Sequence, residues 1–176
     1  MKMNIALPSV ILALMFTVTG AAFAHGDKPH KKKTQAPAVS TEEKPFGRAG
    51  DPAKVSRTLK LDMRDEMRFI PATLKVKQGE TIRFVVHNSG KIMHELVIGT
   101  MQDLNEHAEL MKKFPDMEHD EPYMAHVKPG KTEEIVWQFS KTGQFHYACL
   151  IAGHFEAGMV GKIAVTEAGA KTAAAR

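Results

Sequence analysis

The sequence predicts an all-β fold: a β-sandwich with a helix-containing insertion and a flexible N-terminal tail. Between Val55 and Thr166, apolar residues recur with the two-residue period that is typical of strands. This region of roughly 110 residues has a common size for a β-sandwich domain. Gly and Pro, 13 and 9 in 176 residues, are too few for a collagen-like or low-complexity chain. We therefore expect one folded domain over residues 55–166.

Seven segments in this region have the composition of strands, because they alternate or are rich in Val, Ile, Leu and Phe. Turn pairs such as Gln78-Gly79 and Pro129-Gly130 separate some of them. The predicted strands are residues 59–63, 73–77, 81–87, 95–99, 131–139, 144–149 and 160–165.

The segment from Thr100 to Lys128 interrupts this pattern and predicts a helix followed by a polar loop. Pro115 and Pro122 lie in the polar part, where they disfavour a continuous helix. Four apolar residues in the segment have the spacing of one helix face: Leu104, Ala108, Leu110 and Met111.

The two ends of the chain lie outside the predicted domain. Residues 1–24 resemble a secretory signal peptide, with Lys2, an apolar stretch over residues 5–18 and a small-residue cleavage site at residues 22–24. The apolar stretch is shorter than the roughly 20 residues of a membrane span. We therefore expect a periplasmic mature chain that begins at His25 and has no membrane anchor. Residues 25–54 are polar and contain several prolines, so they predict a flexible tail, and residues 167–176 predict a second one.

Charge and cysteine content narrow the range of functions. The formal net charge of +4 is small, and no run of Lys or Arg lies in the predicted domain, so we expect no nucleic-acid partner. Cys149 is the single cysteine, which rules out an intramolecular disulfide. A lone exported thiol is either buried and inert or held by a metal ion.

The residues around Cys149 favour a metal site. Cys149, His154 and Met159 follow one another with four residues between each pair, and His94 directly precedes a predicted strand. Two imidazoles, a thiolate and a thioether form the donor set that suits a type 1 copper centre. Taken singly, each residue could serve packing alone. Taken together, their spacing suits a loop that starts at the end of a strand and closes around one ion.

The segments that contain these residues resemble the metal-binding segments of cupredoxins, the plastocyanin and azurin superfamily. They are residues 93–96 (Met-His-Glu-Leu) and 147–159 (Tyr-Ala-Cys-Leu-Ile-Ala-Gly-His-Phe-Glu-Ala-Gly-Met). The resemblance extends over about residues 59–165. It is greatest to the periplasmic cupredoxins of the CopI type, which are linked to bacterial copper tolerance.

The resemblance implies a Greek-key β-sandwich that binds a copper ion. It implies His94, Cys149 and His154 as equatorial ligands and Met159 as the axial ligand. Two features depart from the wider family: plastocyanins have a shorter gap between the cysteine and the second histidine, and many cupredoxins have Asn where this chain has Glu95.

The same residues argue against an enzyme. Multicopper oxidases place histidines on both sides of the type 1 cysteine, whereas Ala148 and Leu150 flank Cys149. A binuclear copper site with two bridging thiolates requires a second cysteine. We therefore expect a copper-binding protein without catalytic residues.

Other His and Met residues are candidates for additional, weaker copper sites. Met101, His107 and Met111 lie in the predicted helix, where Met111 fits the apolar face. Soft and imidazole donors in polar sequence are better candidates. They are Met117, His119, Met124 and His126. In the predicted tail, His25 would be the mature N-terminus, where its free amine and imidazole can chelate Cu(II), and His30 lies close to it.

Three functions remain open on these observations. The first is copper tolerance, in which the site cycles between Cu(II) and Cu(I). The second is a dedicated one-electron carrier with a periplasmic redox protein as its partner. The third is a copper chaperone that transfers its metal to another protein.

Overall fold

The computed structural model describes residues 42–115 and 119–169. These residues form two mixed β-sheets, one α-helix and a short 3-10 helix at Pro52–Lys54, which confirms the predicted all-β class. The predicted signal peptide, residues 25–41 of the predicted tail and residues 170–176 lie outside the described residues. Within the described ranges, no helix is both long and apolar enough to span a membrane.

The elements follow one another in the order β1 (Glu43–Lys44), β2 (Gly47–Ala49), β3 (Arg57–Arg64), β4 (Arg68–Ile70), β5 (Thr73–Lys77), β6 (Thr81–Asn88), β7 (His94–Gly99), α1 (Met101–Lys113), β8 (Met124–Val127), β9 (Thr132–Gln138), β10 (Gly143–Ala148) and β11 (Val160–Thr166). One sheet has the strand order β1-β2-β9-β6-β3-β4, and the other has the order β5-β11-β10-β7-β8. The β3–β6 and β5–β11 pairs are parallel, and the remaining pairs are antiparallel.

The core lies between the sheets and is built from the alternating residues of the long strands. Phe84 and Trp137 come from one sheet, and Tyr147 and Ile163 come from the other; each is at most 1% exposed. Burial of one large apolar side chain contributes about 1.5–3 kcal/mol. Since successive residues of a strand face opposite sides, the alternation in the sequence determines which residues enter this core.

The structure differs from the sequence-based prediction at the N-terminal end of the domain. Strands β1 and β2 lie within residues 25–54, for which the sequence predicts a flexible tail. Phe46, between these strands, is 3% exposed and stacks on Trp137 with ring centroids 5.3 Å apart. Trp137 Nε1 donates a hydrogen bond to the Phe46 carbonyl at 3.0 Å. Strands of two and three residues are too short to show a period, and one aromatic residue attaches them to the core.

The insertion contains the predicted helix, α1. Thr100 caps its N-terminus, because its hydroxyl accepts from the Asp103 N–H while the Asp103 side chain accepts from the Thr100 backbone. The helix buries Leu104, Ala108 and Met111 against a second small core that includes Val97, Ala148 and Leu150, whereas Leu110 is exposed. The end of the insertion, predicted as loop, is strand β8, which pairs with β7.

Candidate metal centre

His94 is the first residue of β7 and is fully buried. Its Nε2 lies 3.1 Å from Asp65 Oδ1. Because an ionised carboxylate only accepts hydrogen bonds, Nε2 carries the ring proton and Nδ1 of the neutral ring presents a lone pair. Nδ1 is buried and has no hydrogen-bond partner among the residues that the structure describes. A buried polar atom without a partner is costly, so this nitrogen is available for a metal ion.

Asp65, in the turn between β3 and β4, holds this orientation of His94. The Lys91 N–H donates to Asp65 Oδ2 at 2.8 Å, and this hydrogen bond, followed by that from His94, lowers the pKa of the Asp65 carboxyl. A carboxylate behind a ligating imidazole fixes the tautomer and the ring direction. Asp65 was not predicted from the sequence, because it lies 29 positions from His94 and no local motif connects the two residues.

Cys149 directly follows β10 and is also fully buried. The Glu95 N–H donates to Cys149 Sγ at 3.4 Å. Burial raises the pKa of the Cys149 thiol to about 12. The thiolate form therefore needs a nearby positive charge, which a bound metal ion supplies.

The loop from Cys149 to Met159 brings His154 back to the cysteine. The His154 N–H donates to the Ile151 carbonyl, and the Met159 N–H donates to the His154 carbonyl. The Cys149 N–H then donates to the Met159 carbonyl at 3.1 Å, which closes the loop. Gly153 and Gly158 both have positive φ, +90° and +87°, a conformation that glycine adopts readily and that lets the backbone turn sharply. As a result, His154 Nδ1 lies 3.3 Å from Cys149 Sγ.

Three donor atoms converge in this way, one each from His94, Cys149 and His154. They all lie within 4.8 Å of one another, and the two imidazole centroids are 5.0 Å apart. One ion can therefore contact all three. Met159 is fully buried beside them, and its role as the fourth ligand stays a prediction.

Contacts from three sides hold the ligand loop. Arg68 Nη1 donates to the Ala157 carbonyl at 3.1 Å, which connects the loop to β4. Glu95 Oε1 accepts from the Leu150 N–H at 2.8 Å, which connects it to β7. Lys112 of α1 pairs with Glu156 at 2.8 Å. These contacts fix the loop relative to β4, β7 and α1.

The donor set fits copper better than other common ions. A thiolate with two imidazoles suits copper, and the unpartnered Nδ1 of His94 and the protonated thiol of Cys149 both gain a partner when an ion binds. Of the three donors, only His154 is partly exposed, so this imidazole forms the solvent-facing side of the site.

The other predicted donors have varied positions. Met111 and Met124 are buried in the small core next to α1, so they serve packing. Met101 is at the start of α1, and His107, His119 and His126 are partly buried near one another. Three predicted donors lie outside the described residues, namely His25, His30 and Met117.

A β-sandwich with a His-Cys-His cluster at one end of its strands defines a cupredoxin with a mononuclear copper centre. The family model of the copper binding proteins of the plastocyanin/azurin family matches residues 55–166. The chain belongs to this family and is a cupredoxin of the CopI type. Copper is its cofactor.

Two relatives show the extent of the similarity. The chain is 47% identical to the copper-resistant cuproprotein CopI of Rubrivivax gelatinosus, over 94% of this chain and 99% of the relative. It is 34% identical to the protein of the same name from Vibrio cholerae, over 88% of this chain and 95% of the relative.

Solved structures agree at the level of the fold. Auracyanin B superimposes with a TM-score of 0.57 at 18% identity, over 69% of this chain and 96% of that one. Auracyanin A of Chloroflexus aurantiacus superimposes with a TM-score of 0.54 at 19% identity, over 62% and 98%. The chain therefore shares its sandwich architecture with these solved structures.

Proposed function

We propose that this chain is a periplasmic copper-tolerance protein that holds one copper ion with His94, Cys149, His154 and, as the fourth ligand, Met159. The bound ion supplies one-electron exchange between Cu(II) and Cu(I). The observation that carries the proposal is the convergence of three donor atoms within 4.8 Å in a site that surrounding hydrogen bonds already hold in place. A rigid site changes little between oxidation states, which favours electron exchange.

The tolerance role is supported by the relatives. Both CopI proteins carry copper resistance in their names, and the match to the Rubrivivax gelatinosus protein covers 99% of its length. The signal-peptide pattern of residues 1–24 supports export to the periplasm. The absence of histidines on either side of Cys149 supports a binding protein rather than an enzyme.

A dedicated electron carrier is the second candidate, and one feature of the surface favours it. His154 is partly exposed, and Ile92 and Met93, which directly precede His94, are 42% and 38% exposed. Exposed apolar side chains near a redox site provide a surface on which a partner protein can dock. A copper chaperone is less well supported, because burial of His94 and Cys149 opposes rapid metal transfer.

A gene deletion distinguishes tolerance from electron transport. We expect the deletion strain to grow poorly at elevated copper and to respire normally, and the wild-type gene to restore growth. The Cys149→Ser gene should not restore growth, whereas His87→Ala, at an exposed position on β6, should. A respiratory defect without copper sensitivity would support the electron carrier instead.

The ligand assignment has its own test in the purified protein. Cys149→Ser should lose the visible thiolate-to-copper charge-transfer band, since this band requires the sulfur ligand. The His87→Ala control should keep the band at one copper per chain. A coloured Cys149→Ser protein would show that Cys149 is not the ligand.

A further inference from the structure

Three histidines outside the copper centre lie together where α1, the loop after it and β8 meet. They are His107, His119 and His126, called here the histidine cluster. His107 Nε2 and His119 Nε2 are 2.7 Å apart, with ring centroids at 4.6 Å, and the His119 and His126 centroids are 6.3 Å apart. All three side chains are partly buried.

A buried carboxylate lies beneath the histidine cluster. Glu95 is 1% exposed, and its Oε1 is occupied by the Leu150 N–H at 2.8 Å. Its Oε2 lies 3.1 Å from His126 Nε2 but makes no hydrogen bond of suitable geometry with any described residue. A buried carboxyl oxygen without a hydrogen bond is costly, and a bound cation would satisfy it. This oxygen points to a ligand at the cluster independently of the histidine positions.

The protonation state of His107 suits a metal ion better than a proton. Burial, followed by repulsion from His119 and His126, lowers the pKa of His107. The neutral imidazole that results is the form that binds metals. Imidazole nitrogen with carboxylate oxygen is a donor set for divalent first-row ions, among which Cu(II) binds most tightly.

We propose that the histidine cluster, with Glu95 Oε2, binds a second copper ion as Cu(II), and that the ion draws together two donor pairs, His107 with His119 and His126 with Glu95. This inference goes beyond the proposed function and does not rest on it, because the second ion can bind whether or not the first one cycles. The site differs from the His-Cys-His centre in chemistry, since it has no sulfur ligand among the described residues.

Glu95 connects the two sites. Its backbone N–H donates to Cys149 Sγ, while its side chain contacts His126 and the Leu150 N–H. A second ion on Oε2 neutralises the carboxylate next to the thiolate. The second copper should therefore shift the charge-transfer band of the first.

The test is a Cu(II) titration of the full mature chain in competition with a chelator of known affinity. His25→Ala and His30→Ala are present throughout, so that these tail imidazoles do not contribute. We expect two tightly bound ions and a band shift on the second addition. With His107→Ala and His119→Ala added, the band should still saturate at one ion. The second ion should bind at least about 10–100-fold more weakly. Removing only a hydrogen-bond partner of a metal ligand already lowers metal affinity by this factor, and the double variant removes two ligands.

His87→Ala is the matched control, because it removes one exposed imidazole of β6 that bonds Thr132 at 3.1 Å. It should keep both ions and the shift. If the double variant forms no band, the single His119→Gln variant replaces it. The proposal is overturned if the parent chain binds one ion, if either cluster variant keeps the second ion at parent affinity, or if Zn(II) occupies the site and Cu(II) does not displace it.

Failure of this proposal is distinct from failure of the proposed function. If the second ion does not bind, the charge-transfer band and the growth phenotype still test the proposed function. A protein without a tolerance phenotype can equally bind two ions.

Discussion

Nε2 of His94 donates a hydrogen bond to Asp65 across 3.1 Å, which connects the β3–β4 turn to the first residue of β7. The contact leaves Nδ1 of His94 as the buried lone pair that faces the metal site. Asp65 does not itself reach the ion, so it is a positioning residue. Its effect should therefore appear in metal affinity more than in folding.

Replacing Asp65 by Ala should weaken copper binding by about 10–100-fold, the range for partners that orient ligating histidines. The imidazole loses its fixed tautomer and direction when the carboxylate is removed. The measurement is the Cu(I) or Cu(II) dissociation constant from competition with a chelator.

The matched controls separate orientation from charge. Glu66→Ala removes the neighbouring exposed carboxylate and should leave affinity unchanged. Asp65→Asn keeps an acceptor oxygen for Nε2 and should recover most of the affinity. Equal affinities for Asp65→Ala and the parent protein would disprove the positioning role.

Copper uptake should depend on pH through the Cys149 thiol. Burial raises the pKa of this thiol to about 12, so the metal-free site is protonated between pH 7 and 9. Copper binds the thiolate and must expel this proton, and affinity should therefore rise about tenfold for each pH unit in that range. Calorimetry in buffers of different ionisation enthalpy should show release of about one proton per ion.

Cys149→Ser is the control for this pH dependence. A serine hydroxyl stays protonated in the same range, so the residual binding should lose the proton release attributed to residue 149. A parent protein whose copper affinity is constant from pH 7 to 9 would show that the thiol does not bind as thiolate.

The sequence predicted the parts of the fold whose patterns are long enough to be periodic. The seven predicted strands correspond to seven observed ones, and helical spacing identified α1. Strands β1, β2, β4 and β8 have two to four residues and were missed. In such short segments, pairing to a neighbouring strand determines the structure, and the local sequence carries little signal.

The candidate site likewise contains residues that the sequence predicts and residues that it does not. Cys149 and His154 are close in sequence, so the spacing predicted a loop that joins them, and the structure brings His94 to it. Asp65 was not predicted, because its role depends on the packing of two distant turns. Glu95 was noted only as a departure from the family pattern, and its contact with Leu150 needs the folded loop.

Gly161 should be intolerant of a side chain because it faces Tyr147 across the β10–β11 pair. A Cβ at Gly161 would overlap the Tyr147 ring, whose hydroxyl donates to the Pro71 carbonyl at 2.5 Å. The ring is fully buried and cannot swing out without losing that bond. Gly161→Ala should therefore destabilise the protein by about 1–3 kcal/mol, as overpacking typically does.

Chemical denaturation of the metal-free protein measures this effect. Gly169→Ala is the control, since its Cβ would meet open space. That substitution should change the free energy of unfolding by less than about 0.5 kcal/mol. A Gly161→Ala protein as stable as the control would mean that the Tyr147 ring can move at little cost.

Met159→Leu should keep a coloured copper site but raise its reduction potential. Met159 is fully buried, and its backbone bonds to Cys149 and His154 do not depend on the side chain. A Met-to-Leu exchange nearly preserves volume, so the loop should hold its shape. Loss of the thioether removes electron donation that stabilises Cu(II) more than Cu(I). Voltammetry with visible spectroscopy measures both properties.

Met111→Leu, the same exchange in the small core next to α1, should leave the potential unchanged. If the two variants have the same potential, Met159 is not a ligand.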